Sequence, residues 1–294
     1  MTPTLSGSDT IRNNPAPFAW ATIAWVSVLI AICYFTVIIH LVSQWANDED
    51  MGHGFFVPVI AGYIAWQKRD QLAAHVPRPN WWGLAILLWG AAQLYIATLG
   101  AELFLTRTSL VISIIGSVLL LGGTEYLRIL SFPLFLLFFM VPIPAVIYNQ
   151  ITFPLQLLAS RVAENSISLL GIPVIREGNV LELAQQKLNV VEACSGIRSL
   201  LTLTFLSLVY GYFFEKRTWV RVLLFLSTIP IAITANAGRV TITGILANFK
   251  PELAEGLFHE AEGWVIFMVA LGLLLLLHQI IIRTTNLVQS RSAH

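Results

Sequence analysis

The chain has 294 residues, of which 56% are apolar and only 11% are charged, and its mean hydropathy is +0.75. A soluble protein of this length carries far more charge on its surface, so the composition excludes that class and indicates an integral membrane protein. The formal net charge of +1 offers no basic face for a nucleic acid. The two cysteines, Cys33 and Cys194, have no CxxC spacing, so we predict neither a disulfide framework nor a cysteine zinc site.

The chain begins with a tail, residues 1–17, whose Ser, Thr, Asn and Pro content is typical of disorder. The apolar run that follows is too long for a signal-peptide core, so we interpret it as a retained first span. Eight apolar stretches approach the roughly 20 residues needed to cross the hydrocarbon layer. We therefore predict an all-α polytopic membrane protein with about eight transmembrane helices, at 19–42, 53–66, 81–99, 108–122, 129–148, 196–214, 219–235 and 263–282.

The distribution of charge predicts how these spans are oriented. With the N-terminus in the cytoplasm, the basic residues fall in the inside loops and the C-terminal tail, as the positive-inside rule requires. The acidic residues then gather on the outer side. We expect a transmembrane domain over residues 18–282, with a disordered cytoplasmic tail at 1–17 and a basic cytoplasmic tail at 283–294.

One long connection, between the fifth and sixth predicted spans, has a pattern of its own. Residues 150–170 carry apolar positions at helical spacing with Arg161 and Glu164 between them, which predicts an amphipathic helix at the outer interface. Short strand-like runs follow, divided by turn signals at 177–179 and 185–186. We expect a small β meander on the outer face that leads directly to Cys194.

Three polar residues lie at the outer ends of consecutive predicted spans: Cys194, Arg239 and His259. A cysteine at a helix N-terminus near a cation has a larger thiolate fraction and is a nucleophile. A histidine transfers the proton to a leaving amine, and an arginine stabilises the oxyanion of a tetrahedral intermediate. These are the parts of an acyl-transfer site. The alternatives are a packed cysteine, a snorkelling arginine and an interfacial histidine without a role.

Other polar residues near these positions are candidates for supporting roles. Arg198, one turn beyond Cys194, either supplies charge to the site or pairs with Glu192. Asp50 and His53 belong to an outer loop that either contributes a base or a cation ligand, or is simply solvated.

Known metal and hydrolase motifs are absent from these segments. Gly263 stands where an HExxH zinc motif would need its second histidine, and the sequence before Ser195 lacks the glycine of a nucleophile elbow. We predict no metal and no cofactor.

Three segments resemble the signature of the exosortase/archaeosortase family: residues 191–200 around Cys194, Asn236-Ala237-Gly238-Arg239, and residues 259–263 from His259 to Gly263. Residues 51–58 look like the first outer-loop motif of that family, with Gly52 where a serine is common. The resemblance covers roughly residues 40–282, and its cysteine segment is the most specific part.

The resemblance implies that Cys194, Arg239 and His259 form the catalytic set. We add Asn236, Arg198, Glu192, His53 and Asp50 as candidates for supporting roles, and whether Asp50 or His53 joins the site stays open. The resemblance also implies a peptidase or transpeptidase of the cell inner membrane whose site faces the periplasm. The implied substrates are secreted proteins that end in a Pro-Glu-Pro signal, a transmembrane helix and a basic cluster, in bacteria that produce exopolysaccharide. Hydrolysis and transfer to an acceptor both remain open.

A second hypothesis is a non-catalytic transporter or a polysaccharide-export component. It predicts ionisable residues near the middle of the bilayer, and the clearest candidate, His278, lies close to the inner end of its span. A thiol oxidoreductase is disfavoured because Cys194 has no cysteine partner within reach.

Overall fold

A computed structural model describes residues 20–184, 187–189, 196–249 and 257–291. The described helices and strands are, in chain order, α1 (Trp20–Cys33), α2 (Phe35–Asn47), a 3-10 helix (Glu49–Phe55), α3 (Phe56–Gln67), α4 (Arg69–Ala73), α5 (Trp82–Leu99), α6 (Leu103–Ile129), α7 (Ser131–Leu136), a second 3-10 helix (Leu137–Met140), α8 (Ala145–Leu169), β1 (Val174–Glu177), β2 (Val180–Leu183), β3 (Lys187–Asn189), α9 (Gly196–Phe214), α10 (Thr218–Phe249) and α11 (Leu257–Arg291). The chain packs as two units. Unit one comprises Met1–Asn47 and Gly54–Val141, and unit two comprises Asp48–His53 and Pro142–His294.

Unit one is built around the close pairing of α5 and α6. Glycines on both helices let the backbones approach, because a Cβ at Gly83 would lie 2.2 Å from the backbone nitrogen of Leu120. Small residues at such contacts are the usual basis of helix association inside a bilayer. Helices α1 and α2 meet at a 74° bend beside Tyr34, whose buried hydroxyl donates to the carbonyl of Ser109 on α6.

The α6 helix has a kink at Gly123, where φ is +80° and ψ is −168°. The segment before α5 pairs with this irregular turn, since the Arg78 amide donates to the carbonyl of Gly122. A Cβ at Gly123 would lie 2.1 Å from the Arg78 carbonyl oxygen. The kink therefore requires glycine for both its backbone conformation and its space.

We expect Gly123→Ala to destabilise the protein by more than about 2 kcal/mol, because a positive φ and a backbone clash add together. The measurement is the midpoint of unfolding of the purified protein in detergent. Gly62→Ala is the matched control, since Gly62 lies in α3 with nothing within 4 Å of its Cβ position. Equal midpoints for the two variants would contradict the prediction.

In unit two, α8 is followed by a three-stranded antiparallel sheet with the strand order β1-β2-β3. Val174 pairs with Leu183 and Val180 pairs with Asn189, and Gly178 at φ +64° forms the turn between the first two strands. The buried side chains of the sheet pack with those of α8 and α10, in a cluster formed by Ala159, Ala163, Ile167, Leu181, Leu183, Leu188, Ala237, Val240 and Ala247.

Helices α9, α10 and α11 share a second apolar cluster in unit two. It contains Leu203, Val220, Leu224, Ala232, Ala270, Leu274 and Ile281. The sheet and α8 therefore lie on one part of α10 and the α9–α11 bundle packs along another, so α10 is the central helix of unit two.

The described residues contain four helices long and apolar enough to cross a membrane, or six if each bent pair counts as one span. The four are Trp82–Leu99, Leu103–Ile129, Thr218–Asn248 and Gly263–Leu287. The prediction of a helical membrane protein with a small sheet is confirmed, whereas the count of eight spans is not. The second predicted span corresponds to the 12-residue α3, and the sixth to α9, of which the apolar part Arg198–Phe214 falls in the class of 10–17 residues.

The helix predicted over residues 150–170 is present as part of α8, which runs without interruption from Ala145 to Leu169. Its place at the outer interface stays a prediction. The first predicted span, residues 19–42, contains the 74° bend between α1 and α2, and the exposed Cys33 is the last residue of α1. An apolar run in the sequence does not reveal where a helix bends.

Candidate functional site

The predicted catalytic residues are described to different extents. Cys194 and Glu192 lie outside the described residues, directly before α9. The backbone of His259 lies in the first turn of α11, and Arg239 lies in α10 with its side chain described. The geometry of the site is therefore built from Arg239, Arg198 and the residues that contact them.

Arg239 does not end a span, as the sequence suggested, because α10 continues ten residues beyond it to Phe249. Its half-buried side chain reaches α11, where the guanidinium lies against the backbone of Gly263. A Cβ at Gly263 would lie 3.2 Å from Cζ and from Nη2 of Arg239. Gly263 follows His259 by one helical turn, so the arginine contacts the very helix that carries the predicted histidine.

The absence of a side chain at Gly263 makes room for the Arg239 guanidinium. A methyl group there would force the guanidinium to move by a few tenths of an ångström. The neighbouring Asn236, one turn before Arg239 on α10, is buried. The Asn236–Arg239 segment therefore packs inside unit two. The guanidinium of Arg239 fits against α11 because Gly263 has no side chain.

Arg198 is held by an ion pair that the sequence did not predict. Its Nε donates to Oδ1 of Asp50 at 2.9 Å. The other carboxylate oxygen of Asp50 accepts a 2.5 Å hydrogen bond from the hydroxyl of Tyr148, near the start of α8. The loop carboxylate therefore belongs to a three-residue chain within unit two. Tyr148 was not a candidate, because nothing in its local sequence signals this contact.

His53 also packs within unit two. Its side chain is buried, and its ring lies 6.1 Å from the ring of Phe205 on α9, measured between centroids. The interpretation of residues 48–53 as a purely solvated loop is therefore wrong for Asp50 and His53. Among the described residues, no three His, Cys, Asp or Glu side chains are grouped in a way that could hold a metal ion.

A second polar cluster lies at the opposite end of the same three helices. His278 on α11 is hydrogen-bonded through Nε2 to Glu215 at 3.1 Å and through Nδ1 to the Tyr210 hydroxyl at 2.8 Å. Arg198 and Glu215 are 17 residues apart along α9 and its end, or about 25 Å at 1.5 Å per residue. His278 is thus satisfied by neighbours at one end of the bundle, which is unlike the mid-bilayer path that a transporter would need.

A family model for transmembrane exosortases matches residues 45–276, which is well over half of the chain. The chain belongs to the transmembrane exosortase family. No curated protein and no solved structure matches it. This exosortase is an integral membrane protein, and the matched region includes the 3-10 helix with Asp50, the sheet, Arg198, Arg239 and Gly263.

Proposed function

We propose that this exosortase is a cysteine peptidase or transpeptidase of the inner membrane, with cytoplasmic termini and a site on the periplasmic side. Its substrates would be secreted proteins with a C-terminal Pro-Glu-Pro signal followed by a transmembrane helix and a basic cluster. The observation that carries the proposal is the contact of Arg239 with Gly263, one turn after His259. It supports a common site for the guanidinium and the imidazole.

In the proposed reaction His259 takes the proton of the Cys194 thiol, and the resulting thiolate attacks the carbonyl carbon of the scissile peptide bond. A C–S bond forms, and Arg239 stabilises the negative charge on the carbonyl oxygen. The C–N bond then breaks, and His259 delivers a proton to the departing amine. The membrane tail leaves and an acyl-thioester remains on the enzyme. Water or an acceptor amine attacks the thioester and regenerates the thiol.

The separation of the two polar clusters supports the placement of this site at a membrane face. The Arg198 end and the Glu215 end of α9 lie about 25 Å apart, close to the roughly 30 Å thickness of a hydrocarbon core. The basic residues Lys216 and Arg217 adjoin Glu215, which supports a cytoplasmic location for that end. Arg198 and Arg239 then belong to the periplasmic end, where the substrate's cleavable segment would emerge.

The test of the proposal is substrate processing by Cys194→Ala. A tagged substrate with a Pro-Glu-Pro tail is co-expressed with each variant, and its size is read on a gel. We expect Cys194→Ala to abolish processing and the trapped thioester, since the nucleophile is lost. Cys33→Ser is the matched control, because Cys33 is the other cysteine of the chain and is exposed on α1. Normal processing by Cys194→Ala at normal membrane levels would overturn the proposal.

A further inference from the structure

The segment Asp48–His53, which includes the first part of the 3-10 helix, contacts one helix of unit two at two points. Asp50 pairs with Arg198, and His53 packs on Phe205. Arg198 and Phe205 are seven residues apart, which is two turns of α9 and about 10 Å. The segment therefore follows α9 along the first turns after Cys194, although about 145 residues of sequence separate the two.

The carboxylate of Asp50 is engaged on both of its oxygens. Oδ1 accepts from Arg198 and Oδ2 accepts from Tyr148. Hydrogen bonds from a guanidinium and a hydroxyl fix the orientation of a carboxylate. This arrangement favours a role in which Asp50 holds another group in place.

That group is Arg198. The ion pair is partly shielded, with the Asp50 side chain 20% exposed and the Arg198 side chain 39% exposed. An arginine loses considerable side-chain freedom when its Nε is fixed, so the pair contributes to where the guanidinium charge lies. Tyr148 in turn fixes the orientation of the carboxylate. Asp50 and Tyr148, from two other parts of the chain, thus contribute to the position of the Arg198 charge.

We infer that Asp50 is a positioning residue which, oriented by Tyr148, holds Arg198 at the start of α9 so that its charge acts on Cys194. This inference rests on the proposed function, because it takes Cys194 as the nucleophile. A cation held close to a thiol favours the thiolate. Loss of Asp50 removes the ion pair at Nε of Arg198, so the guanidinium is held less firmly and its effect on the thiolate weakens.

The experiment is a double-mutant cycle of Asp50→Ala and Arg198→Gln in the Cys33→Ser background, where Cys194 is the sole cysteine. The first readout is the rate of alkylation of Cys194 against pH, which needs no substrate. We expect each single variant to slow alkylation at neutral pH at least threefold, and the double variant to be no slower than the slower single variant. Asp50→Asn, which keeps an acceptor for Arg198, is expected to restore part of the rate.

The second readout is cleavage of the Pro-Glu-Pro substrate. Asp50→Ala and Arg198→Gln are each expected to lower kcat about tenfold with KM within twofold, and Tyr148→Phe to have a smaller effect. The matched control is Glu164→Gln, which breaks the 2.8 Å Arg176–Glu164 ion pair of similar exposure in the same unit. Its alkylation and cleavage rates should stay within twofold of the parent.

The two readouts separate the two ideas. Coupled alkylation effects without cleavage of the substrate by the parent protein would support the positioning role and refute the proposed substrate. Additive losses in the double variant, faster alkylation in Asp50→Ala, or losses no larger than those of Glu164→Gln would overturn the positioning role, whatever the cleavage assay shows.

Discussion

Replacement of Arg239 with glutamine is expected to lower the rate of substrate processing by about 100- to 1,000-fold, the usual cost of losing a donor to an oxyanion. The guanidinium is held against Gly263, so its position as well as its charge contributes. Arg239→Lys keeps the charge but not the planar group, and we expect it to recover only a small part of the lost rate. The measurement is the initial rate of cleavage at saturating substrate.

Two further variants test whether position matters. Gly263→Ala is expected to reduce kcat to a level between those of the parent and Arg239→Gln, because the added methyl group would lie 3.2 Å from Cζ of the arginine. Arg161→Gln is the control, since Arg161 is an exposed residue of α8. A parent-like rate for Arg239→Gln would remove the guanidinium from the mechanism and leave the Gly263 contact as packing alone.

Glu215→Ala is expected to destabilise the folded protein by about 1–3 kcal/mol, the usual cost of leaving buried hydrogen-bond donors without their acceptor. Glu215 and His278 have side chains that are 8% and 4% exposed, and the carboxylate accepts a further 2.7 Å hydrogen bond from the Arg217 amide. The measurement is the unfolding midpoint in detergent. The control is Glu125→Ala, because the Arg128–Glu125 pair is exposed and such pairs contribute only about 0.3–0.5 kcal/mol.

The same carboxylate makes stability depend on pH. Burial by itself raises the pKa of Glu215, but the hydrogen bonds from the Arg217 amide and the His278 side chain outweigh burial and hold the pKa below its usual value. A lowered pKa in the folded state means that the stabilisation is present above the ordinary carboxyl pKa of about 4.3 and is lost as pH falls below it. Acid should therefore destabilise the parent more than Glu215→Gln. The opposite order would contradict the assignment.

The sequence was sufficient to predict a helical membrane protein, because a span must be apolar and about 20 residues long to cross the hydrocarbon layer. The sheet was predicted from its alternating pattern, and the turn at Gly178 from its residues. The lengths of the helices were less predictable. The fourth predicted span stopped at residue 122, next to the kink at Gly123, yet helical structure resumes and continues to Ile129. A pair of glycines does not by itself distinguish an ending from a kink.

The site was predictable only where its residues carry a local signal. The motif segments indicated Arg239, but not that its guanidinium would lie against Gly263. Asp50 was suggested by its loop, whereas its partners Arg198 and Tyr148 lie 148 and 98 residues away in the sequence. Such contacts depend on how distant segments pack, and no periodicity within one segment encodes them. The suggested Arg198–Glu192 pairing falls on a residue outside the described ones and stays a prediction, whereas the pairing of Arg198 with the distant Asp50 is a finding of the structure.

The short segment from Asp48 to His53 belongs to unit two, although the chain on both sides of it belongs to unit one. No single cut can therefore divide this protein into its two units. A pair of fragments separated between Val141 and Pro142 would leave Asp50 on one piece and both Tyr148 and Arg198 on the other. Reassembly of such fragments would have to form the Asp50–Arg198 ion pair between two separate chains. A hybrid that exchanges unit two between relatives must exchange Asp48–His53 together with Pro142–His294.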